Sequence, residues 1–230
     1  MKKPSKLNLW IADFLSRIET CYHNEANLPD LAHDEPLDGL ILTVLSQHTN
    51  DKNRDLAFMR LKGQYSTWEE AAAAGAAAVE NAVRPAGLAP TKSKRILEIL
   101  AVVKKDFGCY SIKSLAGKPR DDVKKYLLSL PGVGEKTASC VLLFDMHASA
   151  FPVDTHIARV CQRVGFVDER TPAEEICAIL EREVSPERYL GGHVNIIEHG
   201  RHVCRARSPL CATCVAAEIC GFFDFLNGQR

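Results

Sequence analysis

Lys136 is the side chain in this sequence best placed for covalent chemistry. It closes the run Leu130-Pro131-Gly132-Val133-Gly134-Glu135-Lys136, in which a proline and two glycines separate two apolar-periodic stretches. Val123, Tyr126, Leu127 and Leu130 share one helical face before the break, and Ala138, Val141 and Leu142 share one after it. The pattern reads as helix, tight hairpin, helix. Lys136 then lies in the first turn of the second helix, where the positive end of the dipole disfavours its ammonium form. With some desolvation its amine becomes a nucleophile near neutral pH. The hairpin also offers bare backbone N–H groups to a phosphate, and Gly132 and Gly134 let a nucleic-acid backbone come close. An ordinary helix connection inside a core carries the same Pro-Gly-Val-Gly letters, so the rest of the chain has to decide between them.

Two further groups stand out. Asp154, in Val153-Asp154-Thr155-His156-Ile157, is placed as the N-cap of a helix running through Val164, and a structural cap is the commonest use of such an aspartate. Cys204, Cys211, Cys214 and Cys220 follow the spacing C-x6-C-x2-C-x5-C. Four thiolates so close in sequence can converge on tetrahedral zinc or on a four-iron cubane. One short knuckle with two longer arms suits the larger object. Arg201, Arg205 and Arg207 flank these cysteines and are candidates to balance their charge or hold a phosphate.

The chain that must position these groups has 230 residues, with frequent alanine, leucine, lysine and glutamate and few strand signals. It reads as nearly all-helical. Formal net charge is zero, but residues 92–136 hold eleven Lys and Arg against five acids, a locally basic stretch that includes the hairpin. No signal peptide and no apolar run long enough to span a bilayer is visible, so a reduced, cytoplasmic setting is expected. There, clustered cysteines suggest metal and the other five (Cys21, Cys109, Cys140, Cys161, Cys177) read as buried small residues.

Helices are expected over 7–19, from Leu37 into Ser46-Gln47-His48-Thr49-Asn50, and over about 51–61. An alanine-rich helix is expected over 69–83 behind a Thr67/Glu70 capping box, and others over 93–107 and about 187–204. Leu88 sits in the Arg84–Pro90 loop, where an exposed leucine would act as a wedge. Thr171-Pro172-Ala173-Glu174 is a further helix start.

The Leu130–Ala138 hairpin with Lys136, the Val153–Ile157 stretch with Asp154 and the four-cysteine spacing together resemble the endonuclease III family, the iron–sulfur members of the helix-hairpin-helix DNA glycosylases. The likeness runs from about Leu37 to Cys220. It implies an all-α protein with a six-helix domain over 36–148. A second domain, built from 1–35 and 149–230, would hold a [4Fe-4S] cluster on Cys204, Cys211, Cys214 and Cys220. The two would flank a DNA-binding cleft, with Lys136 on one lip and Asp154 on the other.

The resemblance also implies a partner, duplex DNA with a damaged base or abasic site, and base excision repair of oxidised pyrimidines by a bifunctional glycosylase and AP lyase. Lys136 would be the nucleophile, and Asp154 would stabilise charge and assist proton transfer. Gly132, Val133 and Gly134 would meet the phosphate backbone. Leu88 would be the wedge, His48 (or Gln47, with the register moved by one) would probe the opposite base, and His156 would lie in a DNA-contacting loop. A monomer associated with the nucleoid is the family expectation. Ala89 stands where a tyrosine is frequent, and Glu135 where a neutral or basic residue is. The competing readings are a monofunctional adenine or thymine mismatch glycosylase, a non-enzymatic iron–sulfur DNA binder, and a zinc-stapled interaction module.

Overall fold

The structure, a computed structural model, describes residues 5–228. All regular elements among them are helical. The first is α1 (Lys6–Glu19), then α2 (Pro36–Ser46), α3 (Asp51–Gln64), α4 (Trp68–Ala74), α5 (Ala76–Val83) and α6 (Ala89–Phe107). They are followed by α7 (Arg120–Ser129), α8 (Glu135–Phe144), α9 (Thr155–Val164), α10 (Ala173–Glu183), α11 (Tyr189–His202) and α12 (Gly221–Leu226). No helix among the described residues is long and apolar enough to cross a membrane.

The chain forms two compact units, one over Leu31–Ala148 and one joining the segment up to Asp30 with Ser149 onward. The family resemblance implies a division at 35/36; in the structure residues 31–35 group with the first unit, where side chains tie them. Asp145 Oδ1 accepts from the His33 backbone N–H at 3.1 Å and meets His33 Nδ1 at 2.8 Å. Glu35 caps α2 at Leu37 N and accepts from Ser111 Oγ at 2.7 Å and Ile112 N at 3.2 Å.

The first unit packs α2, whose Leu37, Leu40, Ile41, Val44 and Leu45 are fully buried, against α3, α6 and α8. The alanine-rich stretch is not one helix. Gly75, at φ +80°, takes a left-handed conformation and splits it into α4 and α5. The Thr67/Glu70 capping box starts α4 as expected. Helix α6 begins four residues before the expected Ser93, because Pro90 lies in its first turn, where a missing N–H costs nothing.

In the second unit, Ile11, Phe14, Leu15 and Ile18 line the buried face of α1, which packs on α10 and α11. Helix α9 buries Ile157, Val160, Cys161 and Val164 and packs on α10, α11 and α12. Complete burial pushes the Cys161 thiol up to about 12, leaving it an inert apolar filler. Cys140 is buried too and Cys177 half-buried, but Cys21 and Cys109 are exposed, against expectation. Neither lies within a regular helix, so no apolar period carries it inward.

Candidate active site and metal centre

The hairpin is held by its own backbone and by two polar side chains. Val133 N donates to Leu130 O at 3.2 Å, closing the turn, and the Val133 side chain is buried. Val133 therefore anchors the hairpin, with its N–H already used. Gly132 takes φ +69°, and a Cβ there would overlap the Arg95 side chain. Arg95 Nη1 donates to Gln47 Oε1 at 2.6 Å, and Gln47 Nε2 donates to Gly132 O at 3.3 Å. Gly134 differs. Its φ of −102° suits any residue and nothing lies within 4 Å of its would-be Cβ. No packing within the protein demands a glycine there.

Gly134 is the N-cap of α8 and supplies no side-chain cap. The first-turn N–H groups of α8 lack intrahelical acceptors, as at every helix start, and here they stay open to a ligand. Lys136 is exposed in that same turn. Glu135, the acid beside it, pairs with Lys124 Nζ at 2.8 Å, which offsets its charge.

Two loops of this unit carry the expected wedge and probe. Leu88 is 56% exposed in a left-handed conformation, φ +48°, immediately before α6. His48 is exposed at φ +53°, just past α2. Gln47, the alternative probe, points to the hairpin as described. The basic stretch is less available than its charge count suggests, because Lys92 is 2% exposed. Lys92 Nζ donates to Leu45 O and Ala86 O, both at 2.8 Å, and burial lowers its pKa.

Asp154 belongs to the second unit. It is the N-cap of α9, with Oδ1 accepting from His156 N at 2.9 Å and Ile157 N at 2.8 Å. Oδ2 has no hydrogen-bond partner recorded among the described residues and is the oxygen left to act on a ligand. The approach to Asp154 is fixed by Phe151, whose N–H donates to Glu181 Oε1 at 3.1 Å and whose ring packs on Tyr189. Pro152 O is met by buried His193 Nδ1 at 2.9 Å. Gly192 leaves room for the Phe151 ring, which a Cβ there would meet at 3.2 Å. His156, half-buried, has its Nδ1 3.1 Å from Arg159 Nη2.

The four cysteines line one pocket, walled otherwise by Phe14, Val164, Phe222 and Phe223 among others. Among the described residues, no three His, Cys, Asp or Glu side chains converge as they would on a single ion. Donors surround the sulfurs. Ala216 N reaches Cys214 Sγ at 3.4 Å, Arg163 Nη1 reaches Cys204 Sγ at 3.7 Å, and His199 Nε2 lies 3.7 Å from Cys214 Sγ. Buried His199 Nδ1 has no hydrogen-bond partner among the described residues, and burial pushes its imidazole down to about 4, so it is neutral. Burial first, then neighbouring thiols, raises Cys211, and burial raises Cys214 and Cys220. A bound cation reverses that preference, since it holds thiols deprotonated. Four cysteines on one pocket, with donors around the sulfurs, fit a sulfur-ligated cluster.

The arginines that reach the cysteine segment with their side chains lie on α9. Arg201 pairs with Glu198 at 3.3 Å, and Arg205 and Arg207 are exposed. Arg163 donates to Arg205 O at 2.7 Å and Ala206 O at 3.0 Å, and Arg159 Nε donates to Cys204 O at 3.0 Å. Both lie on α9, one turn apart, so the helix capped by Asp154 also holds the first cysteine's segment. Sequence reasoning missed them because arginines on a helix look like any solvated face. Lys136 and Asp154 stand in different units, while the cysteines, Arg159, His156 and Asp154 share one.

Residues 41–186 match the HhH-GPD superfamily of base excision DNA repair proteins. An endonuclease III from Thermotoga maritima is 36% identical over 191 residues, covering 82% of this chain and 84% of that one. A relative from Arabidopsis thaliana is 31% identical over 194 residues, 84% of this chain, and the chain spans 64% of that protein's length. Among solved structures, a trapped endonuclease III–DNA covalent intermediate with an estranged adenine superposes with a TM-score of 0.80. It is 28% identical, with complete coverage of both chains.

Proposed function

The chain belongs to the HhH-GPD superfamily of base excision DNA repair proteins, and from that premise we propose that it is a bifunctional DNA glycosylase and AP lyase acting on oxidised pyrimidines in duplex DNA. The observation that carries this reading is Lys136: an exposed amine in the first turn of an uncapped helix, directly after a glycine-rich hairpin. A phosphate at the open α8 N–H groups brings the deoxyribose backbone to the amine. The damaged nucleotide leaves the stack, at least cost where its pairing is already weakened.

The Lys136 amine attacks the sugar C1′, and the C1′–base bond breaks. The base departs with its electron pair and takes up a proton. Asp154, through its unengaged oxygen, stabilises positive charge developing on the sugar and relays the proton. The nitrogen of Lys136, having lost its proton, pushes its lone pair toward C1′ and the C1′–O4′ bond breaks, with O4′ taking up a proton. The resulting iminium between Lys136 and C1′ withdraws electrons, so that loss of a C2′ proton expels the 3′ phosphate and cuts the strand. Leu88 fills the gap, His48 faces the opposite base, His156 and the hairpin glycines touch the backbone, and the two units act as the six-helix and cluster domains of the family, with residues 31–35 on the six-helix side. In endonuclease III a covalent DNA intermediate has been trapped, which is the kind of species this scheme passes through.

Cys204, Cys211, Cys214 and Cys220 would hold a [4Fe-4S] cluster, supported by their common cavity. Such a group supplies cross-links that staple the segment between α11 and α12 and takes no part in bond cleavage. The protein is proposed to act as a monomer on nucleoid DNA in the cytoplasm.

Borohydride trapping tests the reading. Protein is mixed with duplex carrying an abasic site or an oxidised thymine and then reduced. A covalent adduct that vanishes in Lys136→Ala is expected, with excision falling by about a thousandfold or more. No adduct with either DNA, from protein with full visible absorbance of its cluster, would sink the bifunctional scheme in favour of a mismatch glycosylase or a silent DNA binder.

A further inference from the structure

Lys92 is a buried cation with an unusual pair of partners. Leu45 O lies in the last turn of α2, three residues before His48. Ala86 O ends the short 3-10 turn Arg84–Ala86, two residues before Leu88. One ammonium thus holds the roots of two loops, and the tip of each is an exposed residue in the left-handed region. Among the described residues only four non-glycines have a positive φ, and His48 and Leu88 are two of them. A non-glycine persists there only when its surroundings over-determine it.

Nothing about the lysine's own helix favours its burial. Lys92 sits at the start of α6, the positive end of that helix, and is desolvated. What offsets this is the second helix. Leu45 O is among the last carbonyls of α2, where the dipole is negative, and both bonds at 2.8 Å are charge-assisted. An apolar residue would fill the same space without the desolvation cost. It would leave two carbonyls without these bonds and the two loops without a common anchor.

We propose that Lys92 is a positioning residue that sets the spacing between His48 and Leu88, so that both enter the DNA stack together when a nucleotide is extruded. The inference rests on the DNA-processing reading above. Lys92 touches neither the sugar nor the base. It acts through the two tips, and the Arg95–Gln47–Gly132 bonds extend the same framework from the His48 loop to the hairpin.

The test reads stack entry without chemistry. Duplex containing a tetrahydrofuran abasic analogue opposite 2-aminopurine is titrated with the cluster-loaded protein. Fluorescence reports unstacking and anisotropy reports binding. Wild type should raise the fluorescence. Lys92→Met should bind within about threefold of wild type yet lose at least four-fifths of the rise. In a His48→Ala/Leu88→Ala background the same substitution should change nothing further.

A full rise in Lys92→Met, or an equal extra loss in the double-alanine background, overturns the proposal. Should Lys92→Met fail to fold, judged by cluster absorbance and circular dichroism, Lys92→Gln, which keeps a donor for one carbonyl, carries the same criteria with at least half the rise lost. Absence of any rise with the wild-type protein removes the underlying reading and this proposal with it, and it does so before any substitution is made.

Discussion

Helix α8 begins at Gly134, whose missing side chain leaves the first-turn N–H groups uncapped, whereas α9 begins at Asp154, whose Oδ1 takes two of them. The first start is open and the second is closed by its own residue. Each arrangement suits its proposed task. An open start accepts an oxygen from outside, a phosphate in this reading, and brings the neighbouring Lys136 amine to the backbone. A closed start fixes a carboxylate in one rotamer through Oδ1 and presents Oδ2 in a constant place. A cap and a charged site can therefore be the same residue, and the common reading of a helix-starting aspartate as merely structural does not exclude chemistry.

Asp154→Asn separates the two uses of that side chain. Asparagine caps as well as aspartate, so stability should change by less than about 0.5 kcal/mol in urea melts. Single-turnover excision should slow about a hundredfold, because the charge is gone. Asp154→Ala should lose both, with about 1 kcal/mol of cap stability. Equal loss of stability in both variants would break the assignment of Oδ1 to capping and Oδ2 to chemistry.

Removing one of the four proposed cluster ligands should reach one helix start and spare the other. Arg159 and Arg163 join α9 to Cys204, Arg205 and Ala206, while α8 lies in the other unit. In Cys214→Ser, hydrogen exchange at the Ile157 amide is expected to quicken by about tenfold, with the α8 amides unchanged. Loss of protection in α8 as well would show that the centre supports the whole chain rather than the helix it touches.

The smallest effect tests the open start directly. Gly134→Ser supplies the missing cap, and its Cβ has free space. It should raise stability by about 0.3 kcal/mol and weaken duplex binding about fivefold, read by anisotropy. Higher stability with unchanged binding would mean that the open N–H groups meet no phosphate.

Much of this site was legible in the sequence. The Pro-Gly-Val-Gly break, the helix start at Asp154, the Thr67/Glu70 box and the cysteine spacing are all contained in windows of a few residues, and the structure builds a hairpin, an N-cap, a capping box and a shared cavity from them. Gly75 shows the limit of such windows. The alanine run favours one helix by propensity, yet a single residue at φ +80° divides it. The basic stretch shows another limit, since a charge count cannot tell buried Lys92 from exposed Lys136.

By itself the sequence determined the helical class, the hairpin with Lys136, the cap at Asp154 and the grouping of the four cysteines, because each is set by interactions between residues at most a few turns apart. Only the tertiary structure decided that Gln47 turns to the hairpin while His48 faces out, that Lys92 bonds a carbonyl 47 residues away, and that Arg159 reaches Cys204 across 45. It also placed α1 with the C-terminal helices rather than with its neighbours in sequence. The reason is burial. Which polar group is buried, and against which carbonyl, depends on packing partners that no local period or spacing encodes.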